Sequence, residues 1–94
     1  MAKKKQYALV VSYSFDPSTQ VYLFDTMASA VNALREDFEN EKRIDMEENG
    51  WDTTASIEKD GTYAKLVNHF DNSDDTTEFT VTEVSEWKGV RRDA

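Results

Sequence analysis

Apolar side chains recur at every second position over residues 6–15, which is the period of a β-strand. One face of this strand collects five large side chains, namely Tyr7, Leu9, Val11, Tyr13 and Phe15. The opposite face carries the small apolar Ala8 and Val10, which predicts a strand in the interior of a sheet. A turn over residues 16–19 and a second alternating stretch over residues 20–24 complete a predicted β-hairpin.

The hydrophobic period then changes to that of an amphipathic helix. Thr26 is the predicted N-cap, and one apolar stripe follows it: Met27, Ala30, Val31, Leu34 and Phe38. The helix is expected to continue through Glu47 or Glu48 and to end at Asn49 and Gly50, where glycine takes the left-handed conformation. Carboxylates in its last turn oppose the helix dipole, so helix stability alone does not explain them.

A second hairpin is predicted over residues 51–58 and 63–70. Between them, Asp60 and Gly61 are typical of a two-residue type I′ turn, in which both residues take positive φ. This turn fixes the register. One face then pairs Ile57–Ala64, Ala55–Leu66, Thr53–Asn68 and Trp51–Phe70, and the other pairs Glu58–Tyr63, Ser56–Lys65, Thr54–Val67 and Asp52–His69.

The last predicted strand spans residues 77–87. Phe79 and Val81 share a face, but Val84 and Trp87 fall out of step, which predicts a β-bulge near Glu83. The element order β-β-α-β-β-β predicts an α+β fold, with a single helix packed across an antiparallel sheet in an undetermined strand order.

Length and composition favour one domain over residues 1–94, with an ordered body at about 6–87 and basic tails at 1–5 and 88–94. Because the chain contains no cysteine, disulfides and thiolate metal sites are excluded. The longest apolar run, residues 8–11, is far shorter than the roughly 20 residues that span a bilayer. The start of the chain lacks a signal-peptide pattern, and a cytoplasmic location is the prediction.

Charge is distributed unevenly along the chain. Residues 6–87 hold 18 of the 19 acidic residues but 5 of the 11 basic ones, so this body carries −13 while the whole chain carries −8. Nucleic acid and anionic membranes repel such a surface, and we expect neither to be bound directly. The expected partner is a basic protein surface, in particular that of a nucleic-acid-binding protein.

No catalytic, metal or cofactor motif stands out, which predicts a non-enzymatic protein without cofactors. His69 opposite Asp52 would suit acid–base chemistry of a hydrolase, but an ordinary cross-strand ion pair is the favoured interpretation. The acidic segment that starts at Asp71 departs from the EF-hand pattern at its third, sixth and twelfth positions, which are Ser73, Thr76 and Thr82.

The helix carries the strongest functional signal. Seven carboxylates fall between residues 36 and 48, roughly 18 Å of helix axis. This is about two-thirds of the linear charge density of duplex DNA before the basic residues are subtracted. The predicted partner-binding residues are Glu36, Asp37, Glu41, Asp45, Glu48, Asp52, Asp74 and Asp75. The competing interpretation is a solvated helix face that only keeps the protein soluble.

Four segments, at residues 13–17, 24–26, 47–51 and 59–64, resemble small uncharacterised proteins of bacterial phages and integrative elements. The likeness spans residues 7–87 and carries over no functional residue. Some small acidic proteins of such elements inhibit host defence, including anti-CRISPR proteins that compete with DNA for a Cas nuclease. The resemblance therefore implies an inhibitor that mimics nucleic acid.

A second hypothesis is a structural module that self-assembles, for example as a homodimer, through a sheet edge or exposed aromatic residues. Tyr22, Phe24, Tyr63 and Val67 do not all fit on the core face. An exposed apolar patch usually marks an interface.

Overall fold

The computed structural model describes residues 5–85 as one antiparallel sheet with a helix on one face. The elements are β1 (Lys5–Tyr13), β2 (Asp16–Phe24), α1 (Met27–Arg43), one π-helical turn (Ile44–Glu48), β3 (Asp52–Ile57), β4 (Tyr63–His69) and β5 (Asp74–Ser85). The strand order is β2-β1-β5-β4-β3, and α1 packs against β1, β5 and β4. The predicted α+β fold and its element order are confirmed.

The core lies between α1 and the three central strands. Its buried residues are Leu9, Val11, Ala30, Leu34, Phe38, Ala64, Leu66, Phe79 and Val81. The rings of Phe38 and Phe79 meet edge to face with centroids 5.9 Å apart. Since β1 lies between β2 and β5, the prediction of an interior strand for β1 is confirmed.

The first hairpin turns earlier than predicted. Its turn is Ser14–Phe15, and the β1–β2 register shifts between Ser12 and Tyr13, so that the strand at residues 16–24 absorbs a bulge. The predicted turn at residues 16–19 is therefore wrong. Pro17 is tolerated because β2 is an edge strand, where a missing N–H breaks no ladder. Phe15 lies in the turn and is 56% exposed, so it leaves the core face.

The helix begins as predicted. The Ser29 N–H donates to Thr26 Oγ1 at 3.1 Å, which confirms the N-cap. In the predicted apolar stripe, Ala30, Leu34 and Phe38 are buried and Val31 is half-buried, but Met27 at the start of α1 is exposed. The end differs, because Asn49 N–H donates to Ile44 O at 2.9 Å and closes a wider π-helical turn.

Beyond that turn, Gly50 has a φ of 69°, which is the predicted left-handed conformation.

The register of the second hairpin is confirmed at all six pairs from Asp52–His69 to Ile57–Ala64. Its turn type is wrong, because no described residue other than glycine has a positive φ. Instead, Gly61 N–H donates to Glu58 O at 3.0 Å.

Asp60 keeps a negative φ while its Oδ1 accepts the Thr62 N–H and hydroxyl, at 3.0 and 2.7 Å. Gly61 alone takes φ +77° and is buried. A Cβ on Gly61 would lie 2.7 Å from Val31 Cγ1 on the helix.

Strand β5 begins at Asp74, three residues before the predicted start of the last strand at residue 77. Its pairing with β1 is unbroken from Lys5–Ser85 to Tyr13–Thr77, so the predicted bulge near Glu83 is wrong. Without that bulge Val84 stays on the face away from the helix and is 38% exposed. Lys5 was predicted to belong to the N-terminal tail, but it is the first residue of β1. Its Nζ lies 3.4 Å from Glu83 Oε2. Trp87 and residues 88–94 lie outside the described residues.

Candidate partner-binding surface

Three of the predicted residues lie along one side of the helix, and we call Glu36, Asp37 and Glu41 the acidic wall. This wall borders two adjoining clefts between α1 and strands β1 and β2. One cleft, of about 230 Å³, is lined by Val11, Tyr13, Gln20, Tyr22, Asp37, Glu41, Thr77 and Phe79. In these clefts the carboxylates lie beside the rings of Tyr13 and Tyr22 and the side-chain amide of Gln20. The surface is therefore both negatively charged and concave.

The pKa values in this region show the local field. Loss of solvation, and then the charge of Glu36, raises the pKa of Asp37. The pKa of Glu41 is raised first by loss of solvation and then by the charge of Asp45 and a hydrogen bond with it. The Tyr13 pKa is raised first by burial and next by the charge of Glu41. Loss of solvation, the largest cause, disfavours charge of either sign, and only the smaller contribution of the neighbouring carboxylates favours a cation here.

The basic residues of the helix lie apart from the acidic wall. Arg35 packs beside Gly61 in the β3–β4 loop. Lys42 pairs with Glu39 at 3.2 Å and lies 5.6 Å from the centre of the Phe38 ring. Arg43 pairs with the predicted Glu48 at 2.6 Å, which partly neutralises that carboxylate.

Within residues 5–85 no ion pair reaches Glu36, Asp37 or Glu41. No cation of an ion pair in this part of the chain offsets the charge of the wall.

Asp45 does not belong to the exposed surface, and its predicted role in partner binding is corrected here. The residue is 3% exposed, and its Oδ2 accepts a hydrogen bond from Asn68 Nδ2 at 3.0 Å. Asn68 Oδ1 accepts the Thr53 hydroxyl at 2.6 Å. This chain of contacts joins the end of the helix to β4 and β3. Asp45 therefore holds the helix on the sheet and presents no carboxylate to a partner.

The spacing along the helix contained a signal for this burial. Asp45 follows Phe38 by seven residues and Leu34 by eleven, which returns it to the buried stripe. The predicted register had also placed Asn68 opposite Thr53 on the same face as Ala64 and Leu66, which the structure shows to be the core face. A buried amide there requires a polar partner, and the carboxylate of Asp45 is that partner.

The remaining predicted residues gather at one end of the sheet. Asp52 and Asp74 lie on either side of His69 on the face away from the helix. His69 Nδ1 contacts Asp74 Oδ1 at 3.1 Å, and its Nε2 contacts the Thr54 hydroxyl at 2.8 Å. The carboxylate that contacts the imidazole is thus Asp74 and not Asp52. Asp75 lies on the helix side of the sheet, opposite Asn68, whose side-chain amide donates to Asp45.

Six of the eight predicted residues therefore fall into two groups of three, the acidic wall and the sheet end, and Asp45 and Glu48 belong to neither. Sequence reasoning missed the side chains that give the wall its shape, Tyr13, Gln20 and Tyr22. Their position depends on the strand order, which local patterns do not reveal.

Among residues 5–85, no three His, Asp or Glu side chains are grouped closely enough to hold a metal ion. The same residues include no helix with the length and apolar character needed to cross a membrane. Comparison with protein-family models, characterised proteins and solved structures finds no match to this chain. The case for function depends on the geometry of the surface.

Proposed function

We propose that this chain is a non-enzymatic binding protein whose acidic surface occupies a basic protein groove in place of nucleic acid. The observation that carries the proposal is the segregation of charge on α1. Three carboxylates form a wall on the β2 side, and within the described residues no cation pairs with them. If these three acids served only solubility, we would expect them to pair with cations, as Glu39 and Glu48 do.

The spacing of the wall suits this role. Glu36 and Glu41 are five residues apart, so three charges occupy roughly 7.5 Å of helix axis, about one per 2.5 Å. Duplex DNA carries about one phosphate charge per 1.7 Å of its axis, and each single strand of the duplex carries about one per 3.4 Å. The local charge density of the wall thus lies between that of one DNA strand and that of the duplex. At the end of the sheet, Asp75 adds charge on the helix side, whereas Asp52 and Asp74 lie on the opposite face.

The biological setting belongs to the same proposal. The likeness of four segments to proteins of phages and integrative elements supports an inhibitor of a nucleic-acid-binding host protein that acts in the cytoplasm. An anti-CRISPR activity is one form of this role. The partner in every form is a groove lined with arginine and lysine, because those side chains neutralise phosphates.

The test is displacement of DNA. A short fluorescent DNA duplex is bound to an oligo-arginine peptide, and fluorescence anisotropy follows its release as the chain is added. The site variant replaces Glu36, Asp37 and Glu41 by lysine. If each wall contact contributes about 1 kcal/mol, the variant should need a roughly 100-fold higher concentration for the same displacement.

The matched control replaces Asp25, Glu58 and Glu83 by lysine. These residues are exposed and line neither of the two clefts beside the wall, and both variants shift the net charge from −8 to −2. The control should displace DNA nearly as well as the unmodified chain. Equal loss in both variants would mean that net charge alone drives binding, and the proposal would fail.

A further inference from the structure

Strand β2 is an edge strand with an unusually open outer side. Within the described residues no strand pairs with that side, and eight of its nine residues are exposed. Val21 and Leu23 are each 56% exposed on the face away from the helix, and Tyr22 is 44% exposed on the other. Both faces of the strand thus present apolar surface next to free backbone groups.

This edge lacks the usual protection against pairing. Natural edge strands carry lysine, proline, bulges or inward charges. Here the proline and the bulge are confined to the start of β2, and residues 18–24 contain neither charge nor proline. This stretch is exceptional in a chain of which 32% is charged. The opposite edge, β3, is shorter and exposes no large apolar side chain between Asp52 and Ile57.

We propose that β2 pairs antiparallel with β2 of a second copy and joins two sheets into one of ten strands. The distribution of charge favours a second copy of this chain, and not a basic partner, as the molecule that pairs with the β2 edge. Two bodies of −13 repel wherever their carboxylates approach, so the uncharged edge is where two copies come close. A basic partner is drawn to the carboxylates instead. Pairing about Val21 sets Leu23 opposite Thr19 of the second copy, and every pair over residues 18–24 is uncharged.

The pairing has a consequence for the acidic wall, and this step rests on the proposed function. A two-fold axis perpendicular to the sheet keeps both helices on the same face. The two walls then face each other across a floor that includes Gln20 and Tyr22 of both copies. With four to five strand spacings of about 4.8 Å between helix axes, the separation is roughly 19–24 Å. Helix diameters of about 10 Å leave an acid-walled trough of roughly 9–14 Å, suited to one basic segment.

Sedimentation velocity of the full chain tests the pairing. At tens of micromolar, the expected species has twice the 10.8 kDa mass of the chain. Val21→Lys should weaken dimerisation by at least about tenfold, an effect of 1.4 kcal/mol or more. Ser56→Lys adds the same charge on the same open face at the β3 edge and should leave the dimer intact. Amide hydrogen exchange at residues 19–23 should slow as protein concentration rises, which reports the contact without any variant.

Salt separates this inference from the proposed function. Raising ionic strength from about 0.1 to 1 M shortens the Debye length from about 10 to 3 Å, so repulsion between the two walls weakens and the dimer tightens. Binding of oligo-arginine should weaken under the same change. A monomer at all salt concentrations, or a dimer that Val21→Lys leaves unchanged, would overturn the pairing while leaving the wall variants to decide the proposed function.

Discussion

The contact between Asp45 and Asn68 offers the sharpest test of how the acidic helix is held on the sheet. We consider Asn68→Leu, which keeps a similar volume but removes the donor to a carboxylate that is 3% exposed. The variant leaves Asp45 buried without this partner and Thr53 without its acceptor at 2.6 Å. Both effects act on the folded state.

The magnitude follows from the hydrogen bonds that are lost. A hydrogen bond to a charged group contributes about 1.5–3 kcal/mol, and a buried group left without a partner adds a desolvation penalty of about 1–3 kcal/mol. We expect Asn68→Leu to lower the free energy of unfolding by about 3 kcal/mol. For a chain of this size this corresponds to a fall of roughly 12–24 °C in Tm.

A double-mutant cycle supplies the control. Removing both polar partners of a buried hydrogen bond is much less harmful than removing one. The double variant Asp45→Leu/Asn68→Leu should therefore lose only about 1 kcal/mol relative to the unmodified chain. Urea unfolding followed by circular dichroism measures each corner of the cycle. Additive losses, or a loss below about 1 kcal/mol for Asn68→Leu, would refute the idea that this contact anchors the helix.

Two further predictions concern the loop under the helix and the charge of the wall. Gly61→Ala should lower the free energy of unfolding by about 2–4 kcal/mol, because it combines a left-handed φ with overpacking against the helix. Gly50→Ala, with a φ of 69° but open space around it, should lose about 1–2 kcal/mol in the same urea titration; equal losses would argue against the helix contact.

The pKa of Glu41 is raised in the folded state, so its ionisation destabilises the fold as pH rises above 4.5 and through that raised pKa. Glu41→Gln should therefore raise Tm at pH 7, with the gain fading toward pH 4; a gain that persists at low pH would contradict this.

Local patterns in the sequence predicted much of the fold. Hydrophobic alternation and a glycine turn were enough to place Asp52 opposite His69, because the register of a tight hairpin depends only on neighbouring residues. The N-cap at Thr26 is local in the same way. The strand order depends on which distant segments share a core, and a single sequence carries little information on that.

The errors have physical reasons of the same kind. The bulge predicted near Glu83 was inferred from Val84 and Trp87 as if every large apolar residue had to reach the core. The structure leaves Val84 exposed, since the unbroken pairing with β1 outweighs burial of one side chain. Asp45 was assigned to the surface by its charge alone, although its helical position faces the sheet. For the candidate surface, charge indicated the acidic helix as a whole, but only the tertiary structure shows which three carboxylates border the clefts without a paired cation.

Strand β5 lies between β1 and β4, so the first and last described strands are neighbours in space. Tyr13 finds its partner Thr77 only after 64 more residues have been made, which takes roughly 3–13 s at ribosomal rates of about 5–20 residues per second. From the completion of β2 until β5 is made, the nascent β1–β2 hairpin has two unpaired edges, of which β5 later covers the one on β1.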